Sequence, residues 1–342
     1  MKKIAILGLV IGLLMMLFVF DRLENFQIAY GSAEEISFTS SGHKLSGTLY
    51  LPDSPPPYNV VFFIHGDGPK DRTSNGDYVF IMNHLLDEGL ACFSYDKAGV
   101  GGSQGNWLEQ TMKDRAIEVE RALEVLKDRP SVHKVGLLAF SQGGWVISEI
   151  AQSKADSDYM VLVGGAIDWL DQHMYYESKF AQTMTYTETE RKAYLDYVKT
   201  YDKFIVENDY KAYKAYVSKF DYDSPMSRER FNFAHINSGA NATSGIDHIN
   251  VPFLGLFGED DQNVDVQNSY KTYKEIFDQR GKADYKLIIF PEASHSLLRS
   301  QYEGNENRLI AHSILFGDKI FVRDYLQTLS EWIIQQEGSS KK

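Results

Sequence analysis

Cysteine is almost absent. The chain holds one, Cys92, so no internal disulfide can form. It lies in an apolar run and reads as a small buried hydrophobe rather than a reactive thiol. Positive charge is in deficit: 35 Lys and Arg stand against 47 Asp and Glu, a formal net charge of -12. That balance argues against a nucleic-acid backbone as partner. Metal-ligand spacing is lacking as well. His173, His235, His248 and His312 are scattered, so no zinc or other metal site is expected. Gly99-Val100-Gly101-Gly102 lacks the following lysine of a P-loop and the context of a dinucleotide fingerprint. No cofactor is expected. Internal repeats are missing, and the only polar tail is residues 337–342.

Long hydrophobic runs are also missing, with one exception. Lys2 and Lys3 precede an unbroken apolar stretch over residues 4–20, which Asp21-Arg22 ends. As a helix it would span roughly 25 Å, enough for a thin bilayer. No cysteine near its end would carry a lipid anchor. Residues 1–33 are therefore expected to be an uncleaved signal-anchor and tether. The lysines would keep the N-terminus in the cytoplasm and place the rest of the chain outside it, single-pass in the cell membrane. The alternative is a signal peptide cleaved near Gly31-Ser32-Ala33, which would release a secreted protein.

The chain of 342 residues is otherwise globular in composition, 43% hydrophobic and 24% charged, and allows one large domain with an insertion or two small domains. Its most informative stretch is 135–147. An apolar run, Val135-Gly136-Leu137-Leu138-Ala139-Phe140, meets Ser141-Gln142-Gly143-Gly144, and apolar residues then resume at helical spacing. This predicts a buried parallel strand, a sharp turn and a helix. A serine at such a turn is lifted clear of the sheet, as in a nucleophile elbow. The residues two before and two after it must be small, and Ala139 and Gly143 are. On this stretch alone, an ordinary strand-to-helix turn that holds a serine fits equally well.

Around it, residues 35–40 and 43–51 predict an antiparallel edge hairpin. Strands over 59–64, 90–95, 135–140 and 159–163 alternate with helices over 78–88, 111–126 and 145–153. Such alternation means a doubly wound, mostly parallel sheet. It breaks at Asp168. No strand is predicted until 251–257, which a helix (267–279), a strand (285–290) and a closing helix (321–335) follow. Residues 168–250 instead carry dense aromatics at helical spacing, most of them expected in a small core and a few lining an apolar pocket. The organisation predicted is a core of residues 34–167 and 251–337, with 168–250 inserted as a helical cap, or lid.

Ligands in an open parallel sheet bind at the carboxyl ends of the strands. His65-Gly66-Asp67-Gly68, Ser141, Gly258-Glu259-Asp260-Asp261 and Pro291-Glu292-Ala293-Ser294-His295 all fall at such ends. A serine, an acid and a histidine thus emerge in chain order. A serine hydroxyl needs a base, imidazole is that base near neutral pH, and a carboxylate fixes its tautomer.

Together these elements resemble the α/β-hydrolase superfamily over roughly residues 35–337. His65-Gly66-Asp67-Gly68-Pro69-Lys70-Asp71-Arg72 is similar to the H-G-x-G-P-x-D-R element of a branch of bacterial esterases grouped with serine aminopeptidase-like hydrolases. The chain departs from the pattern at Ala139, where the elbow usually has glycine, and at Lys97-Ala98 before the glycine turn. The resemblance implies an α/β-hydrolase fold and a serine esterase acting through an acyl-enzyme. Ser141 would attack, His295 would move the proton, and Asp261 would orient His295, with Asp260 as fallback. Backbone N–H groups of Asp67 and Gln142 would form the oxyanion hole, with Gly68 as the alternative donor. A carboxylate side chain at 67, so near a developing oxyanion, is expected to point away. His65 would brace the loop, Asp71 and Arg72 would pair with each other or nearby loops, and Asp96 would accept backbone hydrogen bonds. The substrate expected is a small-molecule ester with a small to medium apolar acyl or aryl group. An aminopeptidase or amidase would use the same triad and need an acid, Glu177 or Asp168, for the substrate ammonium. Acyl transfer and a non-catalytic binding scaffold are the other readings.

Overall fold

The computed structural model describes residue 16, residues 22–23 and residues 26–337. The apolar run 4–20 lies outside them except for Met16. Among the described residues, no helix is long and apolar enough to cross a membrane.

Eight strands form one sheet: β1 (Ser32–Ser40), β2 (His43–Leu51), β3 (Tyr58–Ile64), β4 (Ala91–Tyr95), β5 (Val132–Phe140), β6 (Met160–Val163), β7 (Phe253–Gly258) and β8 (Tyr285–Phe290). Their order is β1-β2-β4-β3-β5-β6-β7-β8. β2 runs antiparallel to both β1 and β4, and all other pairs are parallel. The chain winds outward from β3 to β4, then crosses back to the other side of β3 as β5. The sheet therefore reverses direction between β3 and β5, and a crevice opens beyond their carboxyl ends.

The helices are α1 (Val79–Asp87), α2 (Met112–Lys127), α3 (Gly143–Ser153), α4 (Trp169–Thr183), α5 (Glu188–Val206), α6 (Tyr210–Val217), α7 (Arg228–Asn237), α8 (Thr243–Ile246), α9 (Val266–Gln279), α10 (Glu306–Phe316) and α11 (Tyr325–Glu337). Side chains alternate across the sheet, and each set meets its own helices. Val60, Phe62, Ile64, Leu137 and Ala139 pack with α2, α3 and α9. Val61, Phe63, Leu138 and Val161 pack with α1 and α11 on the other face. The central strands β3–β7 have few polar residues because both of their faces are covered. The aromatic segment forms a separate cluster, with Tyr194, Tyr197, Val198, Tyr213 and Phe231 buried among α4–α7. Capping boxes at Thr111–Asp114 and Thr187–Glu190 start α2 and α5.

Two features depart from the sequence reading. α10 is an additional helix, started by the Asn305 side chain, which accepts from the Arg308 N–H. Its apolar residues spread around the axis, leaving Ile310, Leu315 and Phe316 exposed, so no periodic stripe announces it. The closing helix begins at Tyr325 rather than 321, because Phe321 ends a short 3₁₀ turn, Gly317–Ile320, instead.

Gly136 in β5 lies under the buried ring of Tyr159, and a Cβ at this position would overlap that ring. Gly136→Ala should destabilise the protein by about 3 kcal/mol through overpacking. A lowered urea midpoint at unchanged slope checks this, and a shift within error of zero would refute the packing argument.

Candidate active site

The strand-to-helix turn after β5 is as tight as its small residues allow. Ser141 has φ 52°, a left-handed conformation that only a well-supported serine holds. Its N–H donates to the Val163 carbonyl at 2.8 Å, which pins the turn to β6. A Cβ on Gly143 would stand 2.9 Å from the Ile64 carbonyl and 3.2 Å from the Ala139 methyl. Alanine at 139 is thus accommodated because 143 is glycine. The neighbouring loop closes in from β3: a Cβ on Gly66 would sit 3.3 Å from Ser141 Cβ.

Among the described residues, the backbone N–H groups of Asp67 and Gln142 have no protein acceptor. Gln142 is the N-cap residue of α3, where backbone dipoles favour negative charge. The Gly68 amide instead faces the Asp67 carboxylate and helps keep it ionised. The Asp67 side chain does not simply turn to solvent. Arg230 of α7 grips it in a fork, Nη1 to Oδ1 at 3.0 Å and Nη2 to Oδ2 at 2.6 Å. Gln142 Nε2 donates to Oδ1 at 3.2 Å. Burial opposes the charge, but Arg230 outweighs it and holds this carboxyl below its usual range.

Beneath the loop lies a buried polar layer. Arg115 of α2 donates to Gln142 Oε1 at 2.6 Å and to the His65 carbonyl. Lys97 donates to the Gly66 carbonyl at 3.2 Å and stands 4.7 Å from the Trp107 ring centre. Burial and the Arg115 charge depress its ammonium pKa well below the ordinary value. His65 Nε2 lies 2.6 Å from the Tyr95 carbonyl, so that nitrogen carries the proton. Burial pushes its pKa down to about 3, leaving a neutral brace. Arg72 does not pair with Asp71. It bridges Asp96 at 2.9 Å and Glu35 at 2.7 Å, while Asp71 accepts from Thr73 and Asn75 within its own turn. Asp96 also accepts the Gly102 N–H at 2.8 Å.

Asp261 and His295 meet at the ends of β7 and β8. Asp261 Oδ2 lies 2.7 Å from His295 Nδ1, and its other oxygen accepts the N–H groups of Asn263 and Val264 at 2.7 and 2.9 Å. The adjacent Asp260 is exposed and accepts from Ser300, away from the imidazole. Burial disfavours the imidazolium, but the Asp261 charge and hydrogen bond prevail and raise the His295 pKa above 6.5; Glu303 adds to the rise. Gly164, next to the residue that binds the Ser141 N–H, has φ 60°, and a Cβ on it would lie 3.0 Å from the His295 ring. His295 therefore sits one backbone step from the serine turn. No hydrogen bond joins Ser141 to His295; such contacts are often long in a ligand-free enzyme and tighten on binding.

Ser141, Gln142 and Asp67 open into a cleft of about 500 Å³. Trp145, Trp169 and Tyr176 give it an aromatic wall; Gln172, His173, Glu177, Arg230 and Asn263 give it a polar one. The pocket is thus less apolar than the aromatic count suggests, because most rings of the insertion are spent on its own core. His173 was not foreseen as a cleft residue. Its Nδ1 lies 3.1 Å from Asp202 and its Nε2 3.3 Å from Glu177, to which Tyr194 also donates. Burial opposes its charge, yet these two carboxylates push its pKa up to about 9. Asp168 is occupied: it caps α4 and accepts from Asn241. Arg115 had a visible signal, a cation within the apolar stripe of α2. Arg230 had none.

Strand order, elbow and the chain order of serine, acid and histidine make this molecule an α/β-hydrolase in fold. The family model described as "Serine aminopeptidase, S33" matches residues 55–301, more than two thirds of the chain, and the chain belongs to that family. Esterase EstD of Thermotoga maritima is 24% identical over 275 residues, which cover 79% of this chain but only 61% of that protein. The Pyrococcus furiosus esterase Pf2001 superposes with a TM-score of 0.58 at 16% identity, over 90% of this chain and 92% of its own. Est1E from Butyrivibrio proteoclasticus, with ferulic acid bound, gives 0.54 at 16% identity, over 89% and 100%. At these identities the two structures speak for the fold alone.

The His173 cluster makes stability depend on pH. A folded pKa of about 9, above an unfolded value near 6.5, contributes stability that is complete below pH 6.5 and lost as pH rises through about 9. The melting-temperature gap between wild type and His173→Gln should be largest near pH 6 and close by pH 9.5. A gap constant across that range would show that His173 is not charged in the fold.

Proposed function

We propose that this protein is a serine hydrolase that cleaves carboxylic esters through an acyl-enzyme. The observation that carries the reading is the Asp261–His295 pair at 2.7 Å, held one backbone step from a serine on a strained elbow. Ser141 Oγ attacks the ester carbonyl while His295 Nε2 takes its proton. Asp261, on Nδ1, fixes the tautomer and stabilises the imidazolium. The oxyanion is received by the Asp67 and Gln142 N–H groups. His295 then protonates the departing alcohol oxygen. In the second half it takes a proton from water, which attacks the acyl carbonyl and returns Ser141 and the free acid. Esterase EstD, as a relative of partial length, supports ester chemistry.

The cleft favours a small to medium acyl or aryl group against Trp145, Trp169 and Tyr176, with the polar wall satisfying oxygen substituents. The aminopeptidase reading needs a free carboxylate for an ammonium. Glu177 reaches the cleft but is bound by His173 and Tyr194, and Asp168 is a helix cap. Esters are therefore preferred to peptides. Helices α4–α8 are the lid of this reading, covering the crevice between residues 168 and 250.

Purified enzyme should hydrolyse p-nitrophenyl acetate and butyrate, and Ser141→Ala should lose on the order of 10⁴-fold in kcat. A mutant that keeps its activity would end the proposal. The acid limb of kcat/KM should lie above the ordinary imidazole value of about 6.5, since His295 must be neutral to accept a proton and Asp261 stabilises its cation. Glu303→Gln should move that limb down.

Residues 4–20 are proposed to anchor the enzyme in the membrane, with the catalytic domain outside the cytoplasm. The full-length chain should then sediment with membranes and resist carbonate extraction. A soluble form whose N-terminus reads Glu34 would instead mean a cleaved signal.

A further inference from the structure

A carboxylate beside an oxyanion hole is an electrostatic liability. Asp67 presents one: its own N–H is a proposed donor, and it lines the cleft into which Ser141 opens. The polar contacts around it show how the liability is removed. Arg230 meets both oxygens, in the two-bond geometry that neutralises and orients a carboxylate most completely. The fork is itself held, with the guanidinium 5.0 Å from the Phe233 ring centre and 5.7 Å from that of Trp107. From Asp67 the chain of hydrogen bonds continues to the Gln142 amide, from Gln142 to Arg115, and from Arg115 back to the His65 carbonyl. Both oxyanion-donor residues are thus tied to each other through their side chains. One end of the tie is buried in α2, and the other is α7 of the helical insertion.

We propose that Arg230 is a positioning residue for the oxyanion hole: it clamps and neutralises Asp67, so that the Asp67 and Gln142 N–H groups face the developing oxyanion with no competing negative charge. The inference rests on the hydrolase reading above. Arg230 lines the same cleft, but both of its hydrogen bonds go to Asp67, and its role in this proposal is exerted through that carboxylate. The pair is partly exposed, 35% and 44% for the two side chains, so it contributes little to stability. Its effect belongs in the rate. Oxyanion stabilisation operates only in the transition state, so kcat should fall while KM is nearly unchanged.

The test is a cycle of Arg230→Gln, Asp67→Asn and the double variant, assayed with p-nitrophenyl butyrate beside wild type and Ser141→Ala. Arg230→Gln leaves the carboxylate bare and should lower kcat roughly 30-fold, less than the 10²–10³ of deleting a donor outright. Asp67→Asn keeps an acceptor for Gln142 without the charge and should cost only about threefold. The double variant should recover most of the Arg230→Gln loss, because the charge that needed clamping is gone. Arg230→Lys, which keeps the charge but not the fork, should fall between wild type and Arg230→Gln. Melting temperatures should change by no more than a few degrees across the set. Arg230→Gln within twofold of wild type in kcat overturns the positioning role. So does a double variant as slow as Arg230→Gln, or a loss confined to KM. Wild type without turnover, or turnover retained in Ser141→Ala, overturns the hydrolase reading and the positioning role with it.

Discussion

The closeness of two strand ends governs this molecule. β3 and β5 are hydrogen-bonded neighbours in register from Asn59/Lys134 to Ile64/Ala139. At their carboxyl ends the chain must turn in two directions within a few ångströms. Gly66 and Gly143 make that possible by having no side chain where Ser141, Ile64 and Ala139 already stand. Ser141 takes the remaining strain as a left-handed φ of 52°. Everything else in the site is fitted to this junction. The adjacent β6 supplies the carbonyl that holds the serine N–H, and its next residue, Gly164, leaves room for the His295 ring.

The buried charges beneath the junction follow from the same geometry. A loop pinned this tightly has carbonyls facing inward, and buried carbonyls need donors. Lys97 and Arg115 provide them for Gly66 and His65. Two cations would be costly there unless compensated. Glu118, itself held by Tyr95 and Gln110, and the Asp67 carboxylate above offset part of this cost, and burial still disfavours the Lys97 ammonium. Lys97 and Asp67 are therefore two parts of one arrangement. Lys97 reaches the loop from below, and the Asp67 charge favours its ammonium form.

What the sequence made legible were the residues whose placement is dictated locally. Strand ends, glycines and chain order single out Ser141, Asp261 and His295 as candidates, because each lies within a few residues of a strand whose apolar pattern is plain. Asp261 and Asp260 differ only in burial. The turn after β7 carries one inward to His295 and leaves the other with Ser300 in solvent. What stayed illegible depends on contacts between the insertion and the core. Arg230 and Asp67 are 163 residues apart, and nothing in either stretch points to the other. His173 meets Asp202 across two helices whose packing is set by aromatic shape rather than by periodicity. α10 escaped notice for the opposite reason: its apolar residues do not share a face.

The charges around the cleft carry a last consequence. The molecule has a formal net charge of -12, yet each charged side chain that lines the cleft has an opposite partner. Asp67 is matched by Arg230, and Glu177 by His173, which Asp202 holds from behind. His173 is shared between two carboxylates, so one negative charge stays in excess beside the cleft, while the rest of the lining is aromatic or neutral apart from the Asp67–Arg230 pair. Selection in such a cleft rests largely on shape and hydrogen bonding at close range. Under the proposed mechanism, the next negative charge to develop in the cleft would be the oxyanion, beside the Asp67 and Gln142 N–H groups.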